Sequence, residues 1–146
     1  MKKILIITVA AIVLLGAIYG YYLYNKKAKD FTNAKVDIYI TAGDIYQDFI
    51  ADETKANSVY VIADKVIQVT GVVKSYNINT DSTQTIILTD TKAPEAFINI
   101  TLESKVPIDA NLVSSGLQIK VNGQCTGILD DFIEKKVQFI RGGVVL

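Results

Sequence analysis

The sequence predicts a mainly β chain: a five-stranded Greek-key barrel with an amphipathic helix in front of it, preceded by a single transmembrane helix. Three observations predict this. Residues 4–23, ILIITVAAIVLLGAIYGYYL, carry no charge. Five stretches between residues 65 and 145 alternate apolar with polar side chains, the period of a half-buried strand. Between the third and fourth of them lies a Pro- and Gly-punctuated stretch, which separates a meander from a final pair.

The apolar run comes first. Twenty helical residues reach about 30 Å, the thickness of a bilayer's hydrocarbon core. Lys2 and Lys3 flank Ile4–Leu23 on one side and Lys26, Lys27 and Lys29 on the other, while Tyr19, Tyr21, Tyr22 and Tyr24 gather at its C-terminal end as an interfacial belt. A cleaved signal peptide shares the lysines and the apolar run, but bulky Ile18, Tyr19, Tyr21 and Tyr22 occupy the cleavage region. Ala17 and Gly20 leave that alternative open. No cysteine lies near the end of the run, which excludes a lipid-modified lipoprotein. The flanking lysines nearly balance, and the three-residue tail beginning MKK places the N-terminus inside. The expectation is therefore a single-pass protein of the cell membrane. Residues 1–30 form the anchor and tether, and residues 31–146 form one domain on the extracytoplasmic side.

Residues 31–146 hold 10 basic and 14 acidic residues, a net charge of −4. A mildly acidic domain has no general affinity for phosphate backbones, so nucleic acid is an unlikely partner.

After a polar tether, KKAKDFTNAKVD, Thr41 and Asp44 have capping-box spacing, with Asp in place of the usual Glu. Ala42, Ile45, Tyr46, Phe49 and Ile50 recur at helical spacing, which predicts a helix over Ala42 to Ala51 and a second short one toward Asn57. In KVIQVTGVVKSYNI, Ile67, Val69, Gly71 and Val73 share one face and Gln68, Thr70, Val72 and Lys74 the other. The glycine marks a bend or bulge. NTDST (79–83) turns the chain into TQTIILTD, and TKAPE turns it into AFINITLES. There Ala96, Ile98, Ile100 and Leu102 face inward and Phe97, Asn99, Thr101 and Glu103 outward. KVPIDANLVSSG (105–116) reads as a short helix or helical turn. In LQIKVNGQCTGIL, Leu117, Ile119, Val121, Gly123 and Cys125 share the apolar parity. Asp130 and Asp131 turn the chain into the last strand, IEKKVQFIRGGVV.

Three meandering strands, a helical connection and two more strands is the order of an OB barrel. The helix rich in acidic residues, KVIQVTGVV, GLQIKVNGQCTG and the hydrophobic last strand resemble the bacterial tRNA_anti-like OB-fold family of small exported or membrane-anchored proteins. The resemblance covers residues 40–146, and its most specific piece is V-x-G-x-C-x-G from Val121 to Gly127. It implies the fold and no established activity. Relatives often carry further cysteines where Ile100 and Gly143 stand here, so the resemblance implies no stapling role for Cys125.

Cys125 is the only cysteine of a chain without histidine. A nucleophile needs a base, and a zinc site needs three or four soft or imidazole ligands. Neither can be assembled conventionally, and no disulfide can form within the chain. The residue reads as a core side chain. N-I-N-T-D at 77–81 has the alternating oxygens of a calcium loop but Leu88 where a bidentate Glu is required, so it reads as a hairpin turn. Asp130 and Asp131 read as a solvated turn. No phosphate-cradling loop or nucleophile elbow occurs. The sequence thus predicts no catalytic residues, no metal and no cofactor.

Binding remains, on the outer face of the second and third barrel strands. The candidates there are Tyr76, Phe97, Asn99 and Thr101. The partners that suit them are an envelope protein, peptide or glycan, with single-stranded nucleic acid or oligosaccharide as the alternative.

Overall fold

The computed structural model describes residues 14–21, 31–103, 108–131 and 133–145. Six strands form one sheet: β1 Ile38–Thr41, β2 Ile67–Ile78, β3 Gln84–Thr89, β4 Phe97–Leu102, β5 Gln118–Asp130 and β6 Lys135–Val145. Helices α1 (Ala42–Ala51) and α2 (Glu53–Tyr60) lie between β1 and β2, and a 3-10 turn, Ala110–Leu112, lies between β4 and β5.

Five of the strands close on themselves. The pairing runs β2–β3–β4–β6–β5 and returns to β2; only β4–β6 is parallel within that ring. This is the closed Greek-key barrel that the strand order predicts. The sixth strand is an addition. Residues 38–41 lie parallel to Ile67–Thr70, on the edge of β2 that β3 leaves uncovered before Val72. Their four residues are too short to show a period, which is why the sequence does not announce them.

Thr41 ends β1 and caps α1 at once. Its Oγ1 accepts from the Asp44 N–H at 3.1 Å, the N-cap bond, and donates to the Asp44 carboxylate at 2.8 Å. Asp52 closes α1 and opens α2, its carboxylate accepting from the Lys55 N–H at 2.9 Å. Helix α1 buries Ile45, Tyr46 and Phe49 against the barrel. Gly71 permits the approach, since a Cβ there would stand 2.9 Å from the Thr89 carbonyl oxygen and 3.0 Å from the Ala42 Cβ.

Alternation fills the interior. Ile67, Val69 and Val73 meet Ile86, Leu88, Ile98, Ile100, Val121, Cys125, Val137 and Phe139, all fully or almost fully buried. Each buried large aliphatic side chain contributes roughly 1.5–3 kcal/mol relative to exposure.

The stretch expected to be tether docks onto the barrel from Phe31 onward. Phe31 is fully buried, and the amide of Asn122 donates to the carbonyls of Phe31 and Thr32 at 3.1 and 3.2 Å. Asn122 also accepts from the Gln68 amide at 3.0 Å. Gly143, opposite Asn122 in the β5–β6 ladder, leaves the space that Thr32 occupies; a Cβ there would lie 2.1 Å from Thr32 Oγ1.

The expected transmembrane helix, Ile4–Leu23, falls mostly outside the described residues. Residues 14–21 are helical and exposed on every side. Among the described residues no helix is long and apolar enough to cross a membrane.

Candidate ligand-binding face

The outward sides of β3 and β4 form an open surface. β4 presents Phe97, Asn99 and Thr101 and β3 presents Thr85, Ile87 and Thr89, because strand geometry sends their neighbours inward. The ladder sets Ile87 beside Asn99 and Thr85 beside Thr101. On the other side of β4, Gln138 of β6 lies against Asn99, whose side-chain amide donates to Gln138 Oε1 at 2.7 Å.

An irregularity in β2 supplies the cation. The β2–β3 register shifts between Val73 and Ser75, leaving Lys74 outside the ladder. Its ammonium stands 3.6 Å from the centroid of the Phe97 ring, a cation–π contact. The same shift redirects Tyr76. After the bulge, Tyr76 pairs with Ile86 and packs against the core, and its hydroxyl donates to the buried Gln84 at 2.6 Å. Of the four residues named from sequence, Phe97, Asn99 and Thr101 share one surface and Tyr76 belongs to the interior. Lys74 and Gln138 join that surface unannounced. Lys74 carries a signal in its outward parity, whereas Gln138 depends on a strand pairing that no local pattern reveals.

Chemically the face offers one aromatic ring, an amide pair, hydroxyls and a cation beside the ring. Such a set can stack and hydrogen-bond an uncharged or weakly anionic ligand. Phosphate-rich chains need more aromatics and more cations. Lys136, next to Phe97 across the β4–β6 ladder, is paired with Glu134 at 3.2 Å.

The remaining reactive groups are held away from this surface. Cys125 faces the interior opposite Phe139 and is 1% exposed. Burial pushes its thiol up to about 11, against a smaller lowering by the Gly127 backbone. The Tyr60 hydroxyl donates to the Asp48 carboxylate at 2.5 Å, and burial followed by that bond pushes it up to about 12. Residues 79–83 form a hairpin turn, in which the Thr83 N–H donates to Asp81 at 2.9 Å and holds that carboxyl below its ordinary range. Among the described residues no group of three or more metal-ligating side chains comes together.

A family model described as tRNA_anti-like matches residues 1–137. No curated protein matches the chain. Among solved structures, a candidate nucleic acid-binding lipoprotein from Klebsiella pneumoniae superposes with a TM-score of 0.61 at 18% identity, over 82% of this chain and 100% of the other. A candidate aspartyl-tRNA synthetase from Leishmania major gives 0.43 at 8% identity, over 89% of this chain and 25% of the synthetase. Yeast Stn1 and Ten1 give 0.40 at 13% identity, over 79% of this chain and 65% of theirs. The Klebsiella likeness is one of fold.

Proposed function

The chain belongs to the tRNA_anti-like family, and from that premise we propose that it is a membrane-anchored, non-catalytic binding module of the bacterial cell envelope. Its ligand lies on the β3–β4 face, and an envelope protein, peptide or glycan suits that surface. The observation that carries this reading is the grouping of Phe97, the Asn99–Gln138 amide pair and Thr101 on one open side of the barrel. The only thiol, by contrast, is sealed inside. Two features support the anchor. The helical residues 14–21 include Leu14, Leu15, Ile18 and Tyr19, each more than half exposed, which suits a lipid environment. The Klebsiella protein of the same fold is described as a lipoprotein; a helix takes the place of a lipid here, because no cysteine lies near residue 23.

A photo-crosslinking side chain at Ile87 or Thr101 of the full chain, introduced in intact cells, should yield adducts that Phe97→Ala reduces. Absence of adducts from both positions, in cells where the chain sediments with membranes, would remove this face as the binding surface.

One observation favours single-stranded nucleic acid as a second reading. Lys74 over Phe97 sets a cation beside a stacking ring, and the Klebsiella protein is described as a candidate nucleic acid binder. A labelled single-stranded oligonucleotide should then bind with an affinity that falls as salt rises and is lost in Lys74→Glu. The net charge of −4 and the single ring weigh against it.

A further inference from the structure

An apolar surface lies beside the point where the chain enters the barrel. Val59 in the last turn of α2, and Val61 and Ile62 in the loop after it, are 38%, 38% and 42% exposed. The loop is held in shape: the Lys65 N–H donates to the Ile62 carbonyl at 3.2 Å, and the Lys65 ammonium donates to the Val59 carbonyl at 2.9 Å.

Two contacts tie that loop to the entry segment. Asp64 pairs with Arg141 at 3.6 Å, and Arg141 stands 5.8 Å from the centroid of the buried Phe31 ring. Val66 exchanges two hydrogen bonds with Asp37, donating to its carboxylate at 2.9 Å and accepting from its N–H at 2.8 Å. The apolar trio therefore stays beside residues 31–37.

Chain length then limits where this face can be. From Leu23, the C-terminal end of the expected anchor, to Phe31 is a path of eight residues, at most about 28 Å when fully extended. A barrel joined by so short a path, and gripped at Phe31 rather than swinging on a free tether, keeps its entry side toward the bilayer.

We propose that Val59, Val61 and Ile62, with Lys65 beside them, rest on the lipid surface of the membrane that holds the anchor, fixing the barrel in one orientation. The inference rests on the anchor reading given under the proposed function. Its chemistry is that of an interfacial patch, in which apolar side chains enter the headgroup–acyl boundary and a neighbouring ammonium meets phosphates.

The test uses the full chain in vesicles of phosphatidylethanolamine and phosphatidylglycerol containing a shallow spin-labelled lipid. An environment-sensitive fluorophore is placed in turn at Ile62→Cys, at Thr80→Cys in the exposed 79–83 turn, and at Tyr24→Cys beside the anchor; unsubstituted protein reports any labelling of Cys125. Emission from residue 62 should be blue-shifted and quenched by the lipid at least about twice as strongly as from residue 80. Residue 24 should be quenched as well. Equal quenching at 62 and 80 with strong quenching at 24 overturns the lipid-facing surface and leaves the anchor standing. No quenching at 24 overturns the anchor and this surface together.

Discussion

Two outer faces of the same barrel carry polar residues at outward positions, and they have opposite fates. On the β5–β6 side, Asn122 is buried because residues 31 and 32 cross over it, and its amide holds their carbonyls. On the β3–β4 side, Asn99 and Thr101 remain half-buried, and Asn99 bonds to its neighbour strand at Gln138. Parity within a strand decides which side chains leave the core. Whether an outward face is covered depends on a segment 90 residues away. The covered face binds the chain to itself, and the open one is the surface proposed for binding.

The sharpest break of this contrast is Phe31→Ala. A fully buried phenylalanine removed from a packed site costs roughly 3–5 kcal/mol, so chemical denaturation should show a loss of that order. Gly143→Ala tests the same seat from the other side, because the new Cβ would meet Thr32 backbone at 2.8 Å as well as its hydroxyl. A loss below about 1 kcal/mol in both variants would mean that residues 31–32 lie on the barrel without contributing to it.

Asn122→Ala is next in size. It would strip the partners from two backbone carbonyls and from the Gln68 amide in a buried setting, at roughly 2 kcal/mol. The comparable change on the open face, Asn99→Ala, should cost well under half of that. Equal costs would erase the distinction between the two faces.

These two residues also mark the limit of what was legible. Helix α1 falls on Ala42–Ala51 as its spacing requires, and β4 alternates as its sequence pattern requires: Ile98, Ile100 and Leu102 inward, Phe97, Asn99 and Thr101 outward. Short-range periodicity carries that information. Strand β1 did not show, since IYIT is four residues following a lysine-rich stretch and is fixed by pairing with Ile67–Thr70. Tyr76 packs against the core because one bulge reverses the parity of the residues after it, a shift that the sequence pattern does not reveal. Asn122 falls on the polar parity of its strand, and nothing near it in sequence reports Phe31. The candidate site was legible where it depended on one strand and illegible where it depended on pairing.

The interior between the faces has its own test. Cys125→Ala should cost about 1 kcal/mol, and Cys125→Asp far more, because an unpaired carboxylate would enter the barrel. Burial raises the Cys125 thiol from its ordinary 9.0 to about 11 in the folded chain. A raised folded value means its contribution is complete below pH 9 and lost as pH climbs toward 11, by roughly 2 kcal/mol at the upper end. Denaturation midpoints should fall across that window in the native chain and fall less in Cys125→Ala, with Tyr60 adding a loss above pH 10 in both. A polar alkylating reagent should react slowly with native protein and at the rate of a free thiol once it is unfolded.

The smallest effect on stability should accompany the largest effect on function. Phe97→Ala removes a half-buried ring from the open face, where the lysine contact it loses is worth roughly 0.5–1 kcal/mol. Midpoints should therefore move by no more than about 1 kcal/mol, while crosslinking from Ile87 and Thr101 should drop. Phe97→Tyr is the conservative partner: it keeps a ring beneath Lys74 and should restore the adducts if stacking is what the ligand uses. Lys74→Gln separates the two components, because it removes the cation and leaves the ring. Retained adducts in Lys74→Gln would point to an uncharged ligand lying on Phe97, and their loss to an anionic one. Should Phe97→Ala unfold the domain as severely as Phe31→Ala, the β3–β4 side would be a structural face like its opposite, and the contrast between an occupied and an open side would fail.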